Sequence, residues 1–174
     1  QKTDIETDFT AEEIVMTGRT PYQGRFEGTS IGDKEAVYRA FSLTKADKLK
    51  DKKFAILSGG EKQKIVIARA VAQTTPWMLL DEPIASLDIK NQIEIMQTLL
   101  ELNRQEGVSV LMVLHDINLA GIYCDRLIML KDGQVIAAGN TNECLCEENL
   151  KKLYDISFFH MDTKKGQRYY YAEI

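Results

Sequence analysis

Two adjacent carboxylates, Asp81 and Glu82, follow the apolar run Trp77-Met78-Leu79-Leu80, and Pro83 comes directly after them. Upstream lies Ser58-Gly59-Gly60, and downstream His115 ends a second apolar run, residues 108–114. These are residue types that phosphoryl transfer to water employs. That reaction needs charge neutralisation on phosphates, a metal and a positioned nucleophile more than covalent chemistry from the protein. Each group also has an ordinary use. Asp-Glu-Pro can end a strand in a polar turn, Ser58 can cap a helix over two flexible glycines, Asp88 can cap the next helix, and a strand-end histidine can be a half-buried polar residue.

The elements that would position these groups follow from periodicity. Residues 58–73 read as a helix, with Ile65, Ala68 and Ala72 on one face and Lys62, Lys64 and Arg69 reaching solvent. Pro76 breaks it, and Trp77–Leu80 reads as a strand buried on both faces, with Asp81 and Glu82 at its carboxyl end. Ile89, Ile93, Met96 and Leu100 recur at helical spacing, and Gly107 is placed to stop that helix. Residues 108–114 then read as another buried strand. A helix followed by a buried strand implies a crossover and a mainly parallel sheet. The two strand ends would bring Glu82 and His115 to one edge, where open α/β sheets bind ligands.

Elsewhere, Thr10-Ala11-Glu12-Glu13 fits a capping box opening a helix over Ala11–Met16, closed by Gly18. Residues 20–32 have a loop composition, Ala36, Val37, Ala40 and Phe41 resume a helical stripe, and residues 45–53 read as a solvated basic stretch. A short helix is expected over Ile117–Tyr123. Residues 127–130 and 135–138 should form a hairpin around Lys131-Asp132-Gly133. A small helix over Glu147–Tyr154 and two paired strands, residues 158–161 and 168–172, complete the chain.

The 174 residues suggest one domain with room for a subdomain, and a formal net charge of -4 gives no reason to expect nucleic-acid binding by bulk electrostatics. No apolar run approaches the roughly 20 residues a membrane-spanning helix needs, and no signal-peptide pattern opens the chain, so a soluble or peripheral protein is expected. Cys124, Cys144 and Cys146 include a Cys-x-Cys but no matching second pair, and reduced, structurally incidental thiols are the expectation.

The run Leu57-Ser58-Gly59-Gly60-Glu61-Lys62-Gln63, followed in order by Trp77 to Glu82, Ser86-Leu87-Asp88 and His115, resembles the signature, Walker B, D-loop and switch histidine of ATP-binding cassette (ABC) ATPases. The resemblance implies an α/β, P-loop NTPase-like fold. Residues 1–75 would form a helical subdomain and residues 76–174 the RecA-like part, ending in an antiparallel edge. It implies ATP and Mg²⁺ as cofactors, Asp81 as a metal-site residue acting through the water shell, and Glu82 as the general base. Ser58, Gly59, Gly60 and Gln63 belong to the signature, whose first three residues would contact the γ-phosphate of ATP held on a second subunit. His115 would orient the attacking water, Asp88 would link the two sites across the dimer, and Gln1 stands about where the family's Q-loop glutamine touches Mg²⁺ or water.

The phosphate loop G-x-x-x-x-G-K-[ST] is nowhere in the sequence, which contains no Gly-Lys pair. The expectation is therefore an N-terminally truncated ATPase, inactive on its own. Val15-Met16-Thr17-Gly18-Arg19-Thr20-Pro21-Tyr22, Leu87-Asp88-Ile89-x-x-Gln92 and Leu114-His115-Asp116-Ile117-Asn118-Leu119-Ala120 resemble the branch that imports ferric siderophores, haem and vitamin B12. Lys64 stands where arginine is frequent, and Ile84 replaces a usual threonine. The implied function is the ATPase subunit of an iron(III)-chelate importer on the cytoplasmic face of the cell membrane. Its implied partners are a second ATPase subunit, a transmembrane permease and, indirectly, a substrate-binding protein. Two rivals are a DNA-repair or chromosome-type ABC ATPase, against which the lack of sustained heptads speaks, and a non-catalytic interaction module, which would not need Glu82 and His115.

Overall fold

The computed structural model describes residues 8–24, 28–164 and 166–173, and its contacts divide the chain into two compact units, Gln1–Val113 and Leu114–Ile174. Gln1 lies outside the described residues, as does part of the expected loop at 20–32.

In the first unit, α1 (Ala11–Met16) opens with the expected capping box. Thr10 accepts from the Glu13 N–H, and the Glu13 carboxylate accepts from the Thr10 N–H. Gly18 does not close the helix. The chain tightens into a 3₁₀ segment, Thr17–Tyr22, and the glycine is required by packing, because a Cβ there would lie 2.3 Å from the Arg69 carbonyl oxygen. Helix α2 (Ile31–Leu43) begins several residues before the expected stripe. A second capping box, Ser30 with Asp33, fixes its start and carries Gly32 inside the first turn. The stretch 45–53 is only partly solvated, since Ala46 and Leu49 are buried between its exposed lysines.

Helix α3 (Gly59–Val71) is capped by Ser58 and turns Ile65 and Ala68 into a core that also holds Ala72, Val15, Val37, Phe41 and Phe54. Strands β1 (Trp77–Leu80) and β2 (Ser109–Met112) pair in parallel, with Leu79 opposite Leu111, and α4 (Ile89–Glu106) connects them. Gly107 ends α4 in the left-handed conformation, φ 69°. The buried face of α4 is Ile95, Met96, Leu99 and Leu102, whereas Ile89 and Ile93 are exposed, so only Met96 of the expected stripe lies fully inside. Nor are β1 and β2 buried on both faces. Met78 is buried, but Trp77, Leu79, Leu111 and Val113 are exposed, because alternation along each strand turns them to a face that no described element covers.

The second unit begins with α5 (Ile117–Tyr123), followed by the antiparallel hairpin β3 (Arg126–Lys131) and β4 (Gln134–Asn140). Its two-residue turn uses positive φ at both Asp132 (51°) and Gly133 (76°), as a twisted hairpin demands. A short helix, α6 (Thr141–Cys144), was not expected, while α7 (Glu147–Tyr154) and the antiparallel pair β5 (Phe158–Asp162) and β6 (Arg168–Ala172) were. Met129, Cys144, Leu145, Leu150 and Tyr170 form this unit's core. Of the three two-stranded sheets among the described residues, one is parallel and two are antiparallel, so the mainly parallel sheet expected is confined here to β1 and β2.

Candidate functional site

The carboxylates leave β1 at its carboxyl end, both exposed. There the Val113 N–H donates to the Leu80 carbonyl at 3.0 Å, extending the parallel pairing one residue. Glu82 has φ 46°, a left-handed backbone that costs a non-glycine residue roughly 1–2 kcal/mol, and it precedes a proline, which further restricts it. The turn around it supplies the compensation. Pro83 and Ile84 are buried, the Ala85 N–H donates to the Glu82 carbonyl at 3.3 Å, and the Leu87 N–H donates to the Ile84 carbonyl at 3.2 Å. A second donor reaches that carbonyl from α4, Gln92 Nε2 at 3.2 Å.

At the start of α3, Ser58 accepts from the Glu61 N–H at 3.3 Å, and its own N–H donates to the Glu61 carboxylate at 2.9 Å. Hydrogen bonds from the Ser58 N–H and then its hydroxyl hold the Glu61 carboxyl below its ordinary range. Ser58 and Gly59 are exposed, Gly60 is buried and Gln63 is half-buried. The ordinary use of Ser58 as a cap is therefore realised, and it leaves the helix N-terminus open to solvent. Gly60 faces α4, where a Cβ would lie 2.3 Å from Asn91 Oδ1. Asn91 is itself clamped by Asp88, which accepts from its backbone N–H at 2.8 Å and from Nδ2 at 2.9 Å. Lys64, the departure from arginine, reaches Glu94 of α4 at 2.8 Å. The signature and D-loop segments are thus packed together through the first turns of α3 and α4.

His115 is in the second unit, exposed and one residue before the α5 cap, whereas Glu82 belongs to the first unit. Asp116 caps α5 by accepting from the N–H groups of Asn118 and Leu119 at 2.8 and 2.9 Å. Asn118 then pairs its side-chain amide with the Tyr170 main chain, donating at 3.0 Å and accepting at 2.8 Å. That pair of hydrogen bonds pins α5 to β6.

One segment that carries the family resemblance also has a structural use. Arg19 pairs with Asp33 at 2.9 Å, donates to the Ala72 carbonyl at 2.9 Å and to Thr74 Oγ1 at 3.1 Å, and lies 4.0 Å from the centre of the Tyr22 ring. The Tyr22 hydroxyl donates to the Gln73 carbonyl at 2.6 Å. Gly-Arg-x-Pro-Tyr is a clasp between the 3₁₀ segment, α2 and the end of α3. The sequence signal was the guanidinium beside an aromatic ring, which suits stacking and forked hydrogen bonding.

Among the described residues no group of three or more His, Cys, Asp or Glu side chains could hold a metal ion unaided. Magnesium does not require such a cage, since it is commonly bound by one or two carboxylates together with substrate phosphates. An exposed Asp81 at a strand end fits that use, and an exposed Ser-Gly helix N-terminus fits a phosphate.

The ABC transporter family profile matches residues 1–85. The ferric enterobactin transport ATP-binding protein FepC of Escherichia coli (strain K12) is 39% identical over 155 residues, covering 89% of this chain and 57% of FepC. The chain belongs to the ABC transporter ATPase family. A solved inward-facing ABC transporter, described as of the metal-chelate type, superposes with a TM-score of 0.91 at 26% identity, over 97% of this chain and 69% of that one. The dimeric ATP-binding cassette MJ0796, in a post-hydrolysis state bound to ADP and Pi, superposes with a TM-score of 0.62 at 33% identity, over 76% of this chain and 57% of that one. This ABC ATPase chain therefore has the cassette's P-loop NTPase fold over the part it spans, a little over half the length of FepC and MJ0796.

Proposed function

We propose that the chain is part of the ATP-hydrolysing subunit that energises import of an iron(III) chelate of the siderophore type across the bacterial cytoplasmic membrane. The observation that carries the hydrolytic part is Glu82, an exposed carboxylate held at the end of a parallel strand in a left-handed backbone. The match to FepC supports the cargo class. The dimeric MJ0796 structure supports a working dimer, in which the exposed Ser58-Gly59 helix end of one subunit serves the nucleotide of the other. A permease would be the membrane partner, a reading supported by the match to the inward-facing ABC transporter. The subunit would sit peripherally on the cytoplasmic face.

In this reading Glu82 accepts the proton of the attacking water and His115 orients that water. Ser58 with the Gly59 and Gly60 N–H groups contacts the γ-phosphate, Gln63 completes the nucleotide-binding signature, and Asp88 faces the partner. Asp81 and Gln1 would hold the Mg²⁺ of Mg-ATP, which when bound neutralises phosphate charge. The 174 residues contain no phosphate loop, so alone they would not turn ATP over. The test is Glu82→Gln in the complete ATPase. ATP binding should persist while hydrolysis falls at least about a hundredfold, within the range for loss of a general base. Near-normal hydrolysis would remove Glu82 as the base.

A further inference from the structure

We infer that Gln92 is a positioning residue for Glu82, acting through the carbonyl of Ile84; the inference rests on the proposal that Glu82 is the general base. Glu82 cannot rely on intrinsic preference for its backbone, since φ 46° before a proline is disfavoured for an L-residue. Something outside residue 82 must hold it. The reverse turn after it is stitched by two main-chain bonds, Ala85 N–H to Glu82 at 3.3 Å and Leu87 N–H to Ile84 at 3.2 Å. Both arise within the turn and would move with it.

Gln92 differs because it belongs to α4, an 18-residue helix anchored by buried Ile95, Met96, Leu99 and Leu102. Its half-buried side chain donates through Nε2 to the Ile84 carbonyl at 3.2 Å, eight residues back along the chain. Ile84 is buried, 6% exposed, so the bond grips the turn at a residue packed into the interior. Gln92 thus refers the backbone of Glu82 to a rigid helix, which is the support a base needs to stay aimed at its water. A glutamine fits because this carbonyl calls for a donor, and because the long side chain spans from the first turn of α4 to the loop.

The test compares Gln92→Met, which keeps length and loses the donor, with Gln92→Glu, whose carboxyl can donate only when protonated. In the complete ATPase at neutral pH, kcat should fall about tenfold in both variants with KM for ATP unchanged. The kcat of Gln92→Glu relative to the parent should recover as pH is lowered toward about 5, as the carboxyl regains its proton. In the 174-residue chain, amide exchange at Ala85 and Leu87 should quicken about tenfold in Gln92→Met, while amides in the Ile95 to Leu102 turns of α4 keep their protection. Unchanged kcat in Gln92→Met beside an inactive Glu82→Gln would overturn the role of Gln92 alone. Near-normal hydrolysis by Glu82→Gln would overturn the base assignment, and the positioning role with it.

Discussion

Gly60 of the signature and Asn91 of the helix after the D-loop are packed so closely that a Cβ on the glycine would lie 2.3 Å from Asn91 Oδ1 and 2.5 Å from Cγ. The amide cannot simply swing away, because Asp88 holds its Nδ2 at 2.9 Å. Glycine here serves a helix–helix contact as well as any approach to phosphate.

Gly60→Ala should therefore destabilise the chain. Overpacking costs about 1–3 kcal/mol, and the better helix propensity of alanine returns up to about 1 kcal/mol, leaving a net loss of about 1 kcal/mol. Removing the obstructing amide should relieve the clash, so Gly60→Ala added to Asn91→Ala should cost nothing further. Urea denaturation of the single and double variants closes the cycle. Strictly additive losses would show that the two residues do not compete for the same space.

The clasp between Arg19 and Asp33 predicts a pH dependence. The hydrogen bond from Arg19, and then those from the Ser30 hydroxyl and N–H, hold the Asp33 carboxyl below its ordinary range. A group whose folded pKa is depressed stabilises fully above its unfolded value, about 3.9, and loses that contribution as pH falls through the lower folded value. The urea midpoint should thus be flat from about pH 7 to 5 and drop below about pH 4. Asp33→Asn should lower the midpoint at pH 7 and flatten the acid limb. Glu61 and Glu94, both shifted downward by hydrogen bonds from Ser58 and Lys64 respectively, supply slope that remains. An acid limb identical in parent and variant would mean Asp33 is not linked to folding.

Much of this arrangement was legible from local rules. Thr10 with Glu13, Ser58 with its helix, and Asp132-Gly133 between two apolar runs are signals in which neighbouring residues satisfy one another, and each appeared where it was expected. Family motifs added the chemistry proposed for Asp81, Glu82 and Ser58. One miss was local: Gly32 has loop composition, yet the Ser30 and Asp33 capping box carries it into the first turn of α2. The others depended on partners distant in sequence. Ile89, Ile93, Met96 and Leu100 form an apolar stripe, yet the core lies beside Ile95, Leu99 and Leu102, so periodicity gave the helix and misjudged its rotation. The uses of Gly18 and Gln92 are contacts with Arg69 and Ile84, which no local pattern announces, and Arg19 near Tyr22 announces stacking but not its reach to Ala72.

The exposed face of the parallel pair supplies the last prediction. Leu79 and Leu111 are register partners at 74% and 50% exposure, flanked by exposed Trp77 and Val113. Parallel sheets are normally covered on both faces, and a contiguous apolar face in water favours association. The 174-residue chain should therefore self-associate, its light-scattering mass rising with concentration. Replacing the pair by Leu79→Lys and Leu111→Glu puts opposite charges across the strands, a combination that sheets tolerate while losing the apolar face. That double variant should remain monomeric over the same range with its far-UV circular dichroism unchanged. Association that persists undiminished in the folded variant would place the adhesive surface elsewhere, whereas a parent chain that stays monomeric at high concentration would show that this face does not drive assembly.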